Sequence, residues 1–313
     1  MKRTTQKFVL LLTFFLVVTN VVVAQTFRPF TAGKYTASLK GDMLLIGNGI
    51  LNRYTTTTSP NVPFNGTGVN DINDLFDMRY IDIDGDPTTF SSSSANLIIP
   101  TKGTANCYKI AYAALYWGGL YTQANLDNNS VSRTNLNQVK FKPPGGTYTT
   151  VTGTTPTFYD SYPNNIYGSG APGYAYVSYA DVTSLLQGLA NANGTYTVAD
   201  LVAGNGKRTS GGWSLYVVYE DPLATAKNIT VFDGFSTVKN TETLKIPIVG
   251  FQTIPVGPVL AKFAFSALEG DYGIPNDKLS INGTDMSVGA TRLSSNFFNS
   301  TINDINGPYT NRV

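Results

Sequence analysis

The chain has 313 residues, with 22 Lys and Arg against 20 Asp and Glu, 13% charged and 42% hydrophobic residues, no histidine, and Cys107 as its one cysteine. Without histidine there is no Ser-His-Asp triad, no Cys-His pair and no His-ligated zinc; with a single cysteine there is no disulfide within the chain and no multi-cysteine metal cluster. Abundant Thr (39), Gly (30), Tyr (19) and Phe (17), beside a charged fraction about half the usual one, favour strands joined by glycine turns and argue against coiled coils, helical bundles and acidic tails.

Lys2, Arg3 and Lys7 precede an apolar run over residues 8–23 that is broken only by Thr13, Thr19 and Asn20, and Val22-Val23-Ala24 stands before Gln25. A basic start, a short apolar stretch and small or β-branched residues at its end follow the order of a secretory signal peptide, so residues 1–24 are expected to be removed. The apolar run is short for a membrane span, and no cysteine follows it to carry a lipid. Loss of Lys2, Arg3 and Lys7 leaves 19 basic against 20 acidic residues, a net charge of −1. No basic run then remains to meet nucleic acid, and no second stretch reaches spanning length. The expectation is a secreted or cell-surface, outer-membrane-associated protein without a membrane span.

Further along, Met43-Leu44-Leu45-Ile46 reads as a short strand closed by Gly47-Asn48-Gly49, and the serine run 91–94 reads as a turn. Residues 109–117 read as a central strand, with Ile110, Tyr112, Ala114 and Tyr116 on one face and Ala111, Ala113, Leu115 and Trp117 on the other. Both sets are apolar, so both faces should be covered, and Gly118-Gly119 should end the strand. Residues 138–142 and 148–151 form a hairpin signal through Pro143-Pro144-Gly145-Gly146. Residues 159–173 read as a long loop rich in Tyr, Asn, Pro and Gly. The one helix is expected near residues 181–190, capped by Asp181, with Val182, Leu185, Leu186 and Leu189 on its apolar face. Strands follow at 195–201, 213–219, 228–232, 244–251 and 259–268. Regular short strands with one helix predict an all-β fold, a jelly-roll-like β-sandwich in a single domain over residues 25–313.

Most chemical motifs fail on context. Residues 168–173 match GxGxxG, but no strand precedes them and no helix follows to offer its N-terminus to a pyrophosphate. Gly204-Asn205-Gly206-Lys207 lacks the rest of a P-loop, and Ser236 with Lys239 lacks the companions of the SxxK enzymes. Glu220-Asp221 and Glu269 with Asp271 stand at strand ends, where glycosidases place an acid and a base, so Glu220 or Glu269 is a candidate catalytic residue. Asp82, Asp84 and Asp86 alternate as oxygen donors to a hard cation do, which makes calcium the candidate cofactor; Pro87 and Ser93 stand where an EF-hand needs Gly and Glu. Cys107 is expected to be buried and inert. Tyr162, Tyr167 and Tyr174, in a crowd with Tyr159 and Tyr176, are candidate ligand contacts, because Tyr offers a large area with few rotors and a polar tip.

Several phrases together resemble a known family: AYAALYWGG at 111–119, GGWSLYVVYEDP at 211–222, ITVFDGF at 229–235, AFSALEGDYGIPND at 264–277 and NFFNSTI at 296–302, with the segments at 82–87 and 179–183. They are similar to the N-terminal β-rich domain of large exported, Bacteroidetes-type surface proteins. The resemblance implies C-terminal Ig-like repeats and a type IX, gliding-motility-associated sorting domain, neither of which is in this sequence, so a fragment of a longer product is expected. It also implies an adhesin-like, non-catalytic binding or structural module whose partners are surface proteins or glycans. A lectin-like glycan-binding domain is the first alternative, and a glycoside hydrolase the second.

Overall fold

The structure, a computed structural model, describes residues 24–63, 70–103, 107–122, 135–158, 173–238, 241–250, 256–268, 270–304 and 307–308. Aromatic and β-branched runs form β1 (Gln25–Gly49), β2 (Leu51–Tyr54), β3 (Asp77–Tyr80), β4 (Ser92–Leu97), β5 (Lys109–Thr122), β6 (Gln138–Lys142), β7 (Thr149–Thr152), β8 (Thr157–Phe158) and β9 (Gly173–Asp181). A short helix, α1 (Thr183–Gln187), leads to β10 (Gly194–Ala199), β11 (Ser210–Glu220) and β12 (Ala226–Thr237). Antiparallel ladders join β12-β1-β11-β5-β9-β8 into one sheet and β4-β10-β6-β7 into a second. The fold is all-β and sandwich-like. Among the described residues no helix is long and apolar enough to cross a membrane.

The inner face of the larger sheet packs on the smaller one. Leu115, Trp117, Tyr176, Leu215 and Val217 cluster with Leu97, Phe141, Tyr196 and Val198, all at most 2% exposed. Each such side chain contributes about 1.5–3 kcal/mol by leaving water. The polar tips of the large rings are satisfied inside. Trp117 Nε1 donates to the Leu136 carbonyl (2.9 Å), Trp213 Nε1 to Ser93 Oγ (2.9 Å), Tyr176 Oη to the Val202 carbonyl (2.6 Å) and Tyr196 Oη to the Ala192 carbonyl (2.8 Å).

The outer face is covered by the chain's own first strand. β1 changes partner at Lys40–Gly41: Lys40 is opposite Ala226 of β12, and Gly41 opposite Glu220 of β11. Residues 25–40 and β12 form a two-stranded ribbon that folds back over the sheet. Tyr35 stacks on Tyr112 of β5 with ring centres 4.9 Å apart and planes 14° from parallel, and Lys34 Nζ lies 4.3 Å from the ring centre of Tyr179 on β9. β9 is three places from β1 in the sheet, roughly 14 Å away at ordinary strand spacing, so only a folded-back ribbon reaches it. Register shifts between Thr26 and Tyr35 accommodate Pro29, which has no N–H to give, and Gly33.

β5 is therefore covered on both faces, but its alternation slips. Val218 is opposite Tyr112 and Tyr219 opposite Ile110, leaving Ala111 as the extra residue of a bulge. Ile110 consequently joins Ala113, Leu115 and Trp117 in the inner cluster, while Ala111 packs with Tyr112 and Tyr116 on the outer side. Gly118-Gly119 does not end the strand. The irregular segment 201–206 crosses there, fully buried. A Cβ at Gly119 would lie 2.9 Å from the Val202 carbonyl oxygen, so the glycine is what lets it pass.

Other expectations are corrected. The serine run is strand β4 rather than a turn, with Ser91, Ser92 and Ser93 at 0% exposure. The helix is Thr183–Gln187 only; Asp181 ends β9, where its Oδ1 accepts the Thr183 N–H (2.9 Å), and Leu185 is exposed. The strand closed at Gly47-Asn48-Gly49 is the tail of the long β1. No strand forms among the described residues of 244–251 or 259–268. Residues 262–268 instead run across the outer face without a ladder: Lys262 Nζ donates to the Met43 carbonyl (2.9 Å), and Ser266 Oγ meets Tyr216 Oη at 2.9 Å.

Candidate functional site

The alternating aspartates lie on the loop between β3 and β4, at one end of the sandwich, and Ser92 of β4 organises it. Ser92 Oγ donates to Asp82 Oδ1 (3.0 Å) and accepts the N–H groups of Ile83 (2.9 Å) and Asp84 (3.2 Å). Asp84 Oδ1 accepts the Asp86 N–H (3.2 Å), and Asp86 Oδ1 accepts both the N–H (2.8 Å) and the hydroxyl (2.7 Å) of Thr88, two successive Asx turns around the left-handed Gly85. The Asn61 amide clamps Asp82 from outside, accepting its N–H at 2.8 Å and donating to its carbonyl at 2.5 Å.

The β6–β7 hairpin closes the loop from the side. Tyr148 Oη donates to Asp84 Oδ2, and Lys142 Nζ lies 4.8 Å from the Tyr148 ring centre. Lys140 Nζ donates to the Thr88 carbonyl (2.7 Å) and pairs with Asp200 (3.3 Å), whose Oδ1 accepts the Phe90 N–H (2.9 Å). Phe90 stays 49% exposed at the rim, edge-on to Tyr80. Burial pushes the Asp84 carboxyl up, but hydrogen bonds from Tyr148, Asp86 and Ser92 outweigh it and hold Asp84 below its ordinary value. Asp86 is held low by Thr88. Burial, with Asp84 beside it, raises Tyr148.

These carboxylates hold the shape of their own loop. A calcium ion at Asp82, Asp84 and Asp86 needs six to eight converging oxygens, whereas Asp84 and Asp86 already accept N–H and O–H groups of the loop and its neighbours. Among the described residues no three His, Cys, Asp or Glu side chains gather as a metal-donor group. Asp77 pairs instead with Arg79 (2.6 Å), and Asp74 with Arg208 (3.5 Å).

The remaining candidates do not converge. Glu220 ends β11 on the wall of an open cleft of about 750 Å³ with Lys40, Tyr108 and Lys109. Its neighbour Asp221 is turned away from it as a turn cap: Oδ2 accepts the Lys102 N–H (2.7 Å) and Oδ1 the Leu223 N–H (2.9 Å), bonds that lower its pKa. Cys107 lies on the same cleft and is exposed, contrary to the buried thiol expected, because it sits ahead of β5 rather than in its ladder. Tyr162, Tyr167 and Glu269 lie outside the described residues, as does GxGxxG apart from Gly173. Tyr174 stands in β9 opposite Tyr121, its side chain likewise outside the description, and Tyr176 is a core residue. Sequence reasoning missed Ser92, Lys140, Tyr148 and Asp200. Only a three-dimensional ladder brings β4, the β6–β7 hairpin and the end of β10 to one place. Comparison of the chain with protein-family models, with curated proteins and with solved structures gives no match.

Proposed function

We propose that the chain is an exported, non-catalytic binding or structural module of an adhesin-like protein at a bacterial surface. The observation that carries the reading is the loop at 82–89. Its carboxylates are used to fix a rigid platform beside Tyr148 and the exposed Phe90, an arrangement suited to presenting a surface rather than to moving protons. The signal-like residues 1–24, the lack of histidine and the resemblance of several phrases to those of large surface proteins support the same reading. Surface proteins or glycans are the partners.

Two measurements test it. Intact cells producing the chain should lose it to external protease, and the surviving N-terminus should be Gln25; protection from protease would overturn export. The purified chain, passed over arrayed glycans and extracellular proteins, should bind saturably and lose binding on Phe90→Ala with Tyr148→Ala, without consuming any glycan. Hydrolysis that disappears in Glu220→Gln would replace this reading with a glycosidase.

A further inference from the structure

We propose that the ribbon formed by residues 25–40 and β12 is a hinged flap, which opens as one unit from the outer face of the central sheet and uncovers a row of tyrosines. This inference is independent of the binding-module reading and rests on three features of the geometry.

The first is the hinge. Pairing with β12 stops at Lys40 and pairing with β11 starts at the next residue, Gly41, so the ribbon meets the sheet at a single peptide bond of β1. Gly41 has φ +155°, and a Cβ there would lie 1.9 Å from the Tyr219 carbonyl oxygen, so only glycine makes the turn. The second is an imperfect seal. Among the described residues the Tyr116 hydroxyl, under the ribbon, and Arg28 Nε, on the ribbon itself, are buried without a hydrogen-bond partner. Water satisfies both when the ribbon lifts, so both favour the open form. Beneath the sheet, by contrast, the tips of Trp117, Trp213, Tyr176 and Tyr196 are all bonded.

The third is how little holds the flap down. Among the described residues the outer cluster has Tyr112, Ala114, Tyr179, Val218 and Ile229 as its buried members, with Tyr35, Leu39 and Val231 of the ribbon partly buried against it. To these are added the Tyr35–Tyr112 stack, Lys34 over Tyr179, an ionic clamp in which buried Asp233 of β12 takes Arg28 (2.9 Å) and Lys34 (3.4 Å), both from β1, and a second ion pair at the hinge itself, where Lys227 of β12 reaches Asp42 (3.2 Å) and the Gly41 carbonyl (3.0 Å). The Asp233 clamp lies within the ribbon and the Lys227–Asp42 pair at its hinge, so the two strands stay together while the apolar contacts beneath them part. Contact area of this size belongs to the low end of local opening energies. Opening exposes Tyr112, Tyr116 and Tyr179.

Hydrogen–deuterium exchange on the purified chain tests the proposal. Amides inside the β1–β12 ladder should exchange at one common rate, at least about tenfold faster than those of β5 and β11. Tyr116→Phe removes an orphaned hydroxyl and keeps the ring, so it should slow the common rate several-fold and leave β5 and β10 unchanged. Asp233→Asn should loosen the ribbon and uncouple its strands. Ribbon amides as slow as the core overturn the flap, as do two ribbon strands exchanging at unrelated rates in the parent chain. Faster exchange in Tyr116→Phe overturns the imperfect seal.

Discussion

Ser93 offers a sharp test of how the core is built. It sits in β4 at 0% exposure, and its Oγ accepts the indole N–H of Trp213, itself 4% exposed, at 2.9 Å. Ser93→Ala removes a single heavy atom, Oγ, yet strands a buried donor where water cannot reach it. Leaving such a group unpaired costs about 1–3 kcal/mol, and for a domain of this size each kcal/mol lowers the midpoint by roughly 2–4 °C. The expected loss is thus about 2 kcal/mol and about 4–8 °C. Urea unfolding followed by fluorescence reads it, because the two tryptophans, Trp117 and Trp213, both lie in the inner layer. The control is the same substitution in a Trp213→Phe background, where no indole N–H remains. There Ser93→Ala should cost less than about 0.5 kcal/mol or reverse sign, since the serine hydroxyl is then the orphan. An equal loss in both backgrounds would refute the hydrogen-bond account in favour of packing alone.

Three further outcomes are expected. At the acidic loop, Tyr148→Phe and Asp84→Asn should each cost about 1 kcal/mol at neutral pH after allowance for solvent screening, with little added in the double variant. Asp84 is held below its unfolded value of 3.8, so its contribution is complete above that value and lost as pH falls through the lower folded one. Parent and variants should therefore converge in acid; the same melts in EDTA and in millimolar calcium, if they differ by several degrees, would show that the loop also binds calcium. In the segment after residue 270, burial raises Asp277, and burial with Asp74 and Asp277 nearby raises Asp271. A raised acid binds its proton more tightly when folded, so stability increases as pH falls from neutral through the raised value. Asp277→Asn should accordingly lift the neutral-pH midpoint by about 2 °C and change nothing below pH 3.8; a loss at neutral pH would contradict the desolvation argument. In alkali, burial holds Tyr112, Tyr148 and Tyr196 above the ordinary phenol value and pushes Tyr219 up to about 12. The unfolded chain ionises first, so stability should fall above about pH 10, and ultraviolet titration should show these phenols ionising only with unfolding. Reversible ionisation of every tyrosine near pH 10 with the fold intact would refute their burial.

Much of this molecule is legible in local pattern. Two apolar sets along 109–117 mark a strand covered on both faces, Pro143-Pro144-Gly145-Gly146 marks the β6–β7 hairpin, and Val182 and Leu186 mark the buried side of the helix. Each depends on side-chain period or turn chemistry, which neighbouring residues alone determine. The acidic loop is legible in part, because Asp–x–Asp spacing belongs to Asx turns as much as to cations, and the difference lies in what stands opposite.

What the tertiary structure alone decides is which partner arrives. The serine run looks like a turn until Asp82, Trp213 and Thr197 supply hydrogen bonds to Ser92, Ser93 and Ser94, Ser94 Oγ meeting Thr197 Oγ1 at 2.8 Å; a paired hydroxyl can then be buried at little cost. The apolar alternation at 244–251 and 259–268 looks like strand, but Pro247 removes a ladder donor from the first segment and no partner edge pairs with the described residues of either. The bulge at Ala111 turns Ile110 to the other face because Val218 and Tyr219 are set by β1 as well as by β5. Composition and period determine that the chain forms strands and where its apolar faces lie. The pairing of residues some two hundred positions apart, such as Thr26 with Ser236, determines that one of those faces is closed by a ribbon, and the β6–β7 hairpin, 64 positions along the chain from Asp84, determines that Tyr148 meets it. Such contacts gain their energy only after the loops between them have closed, so no local segment encodes them.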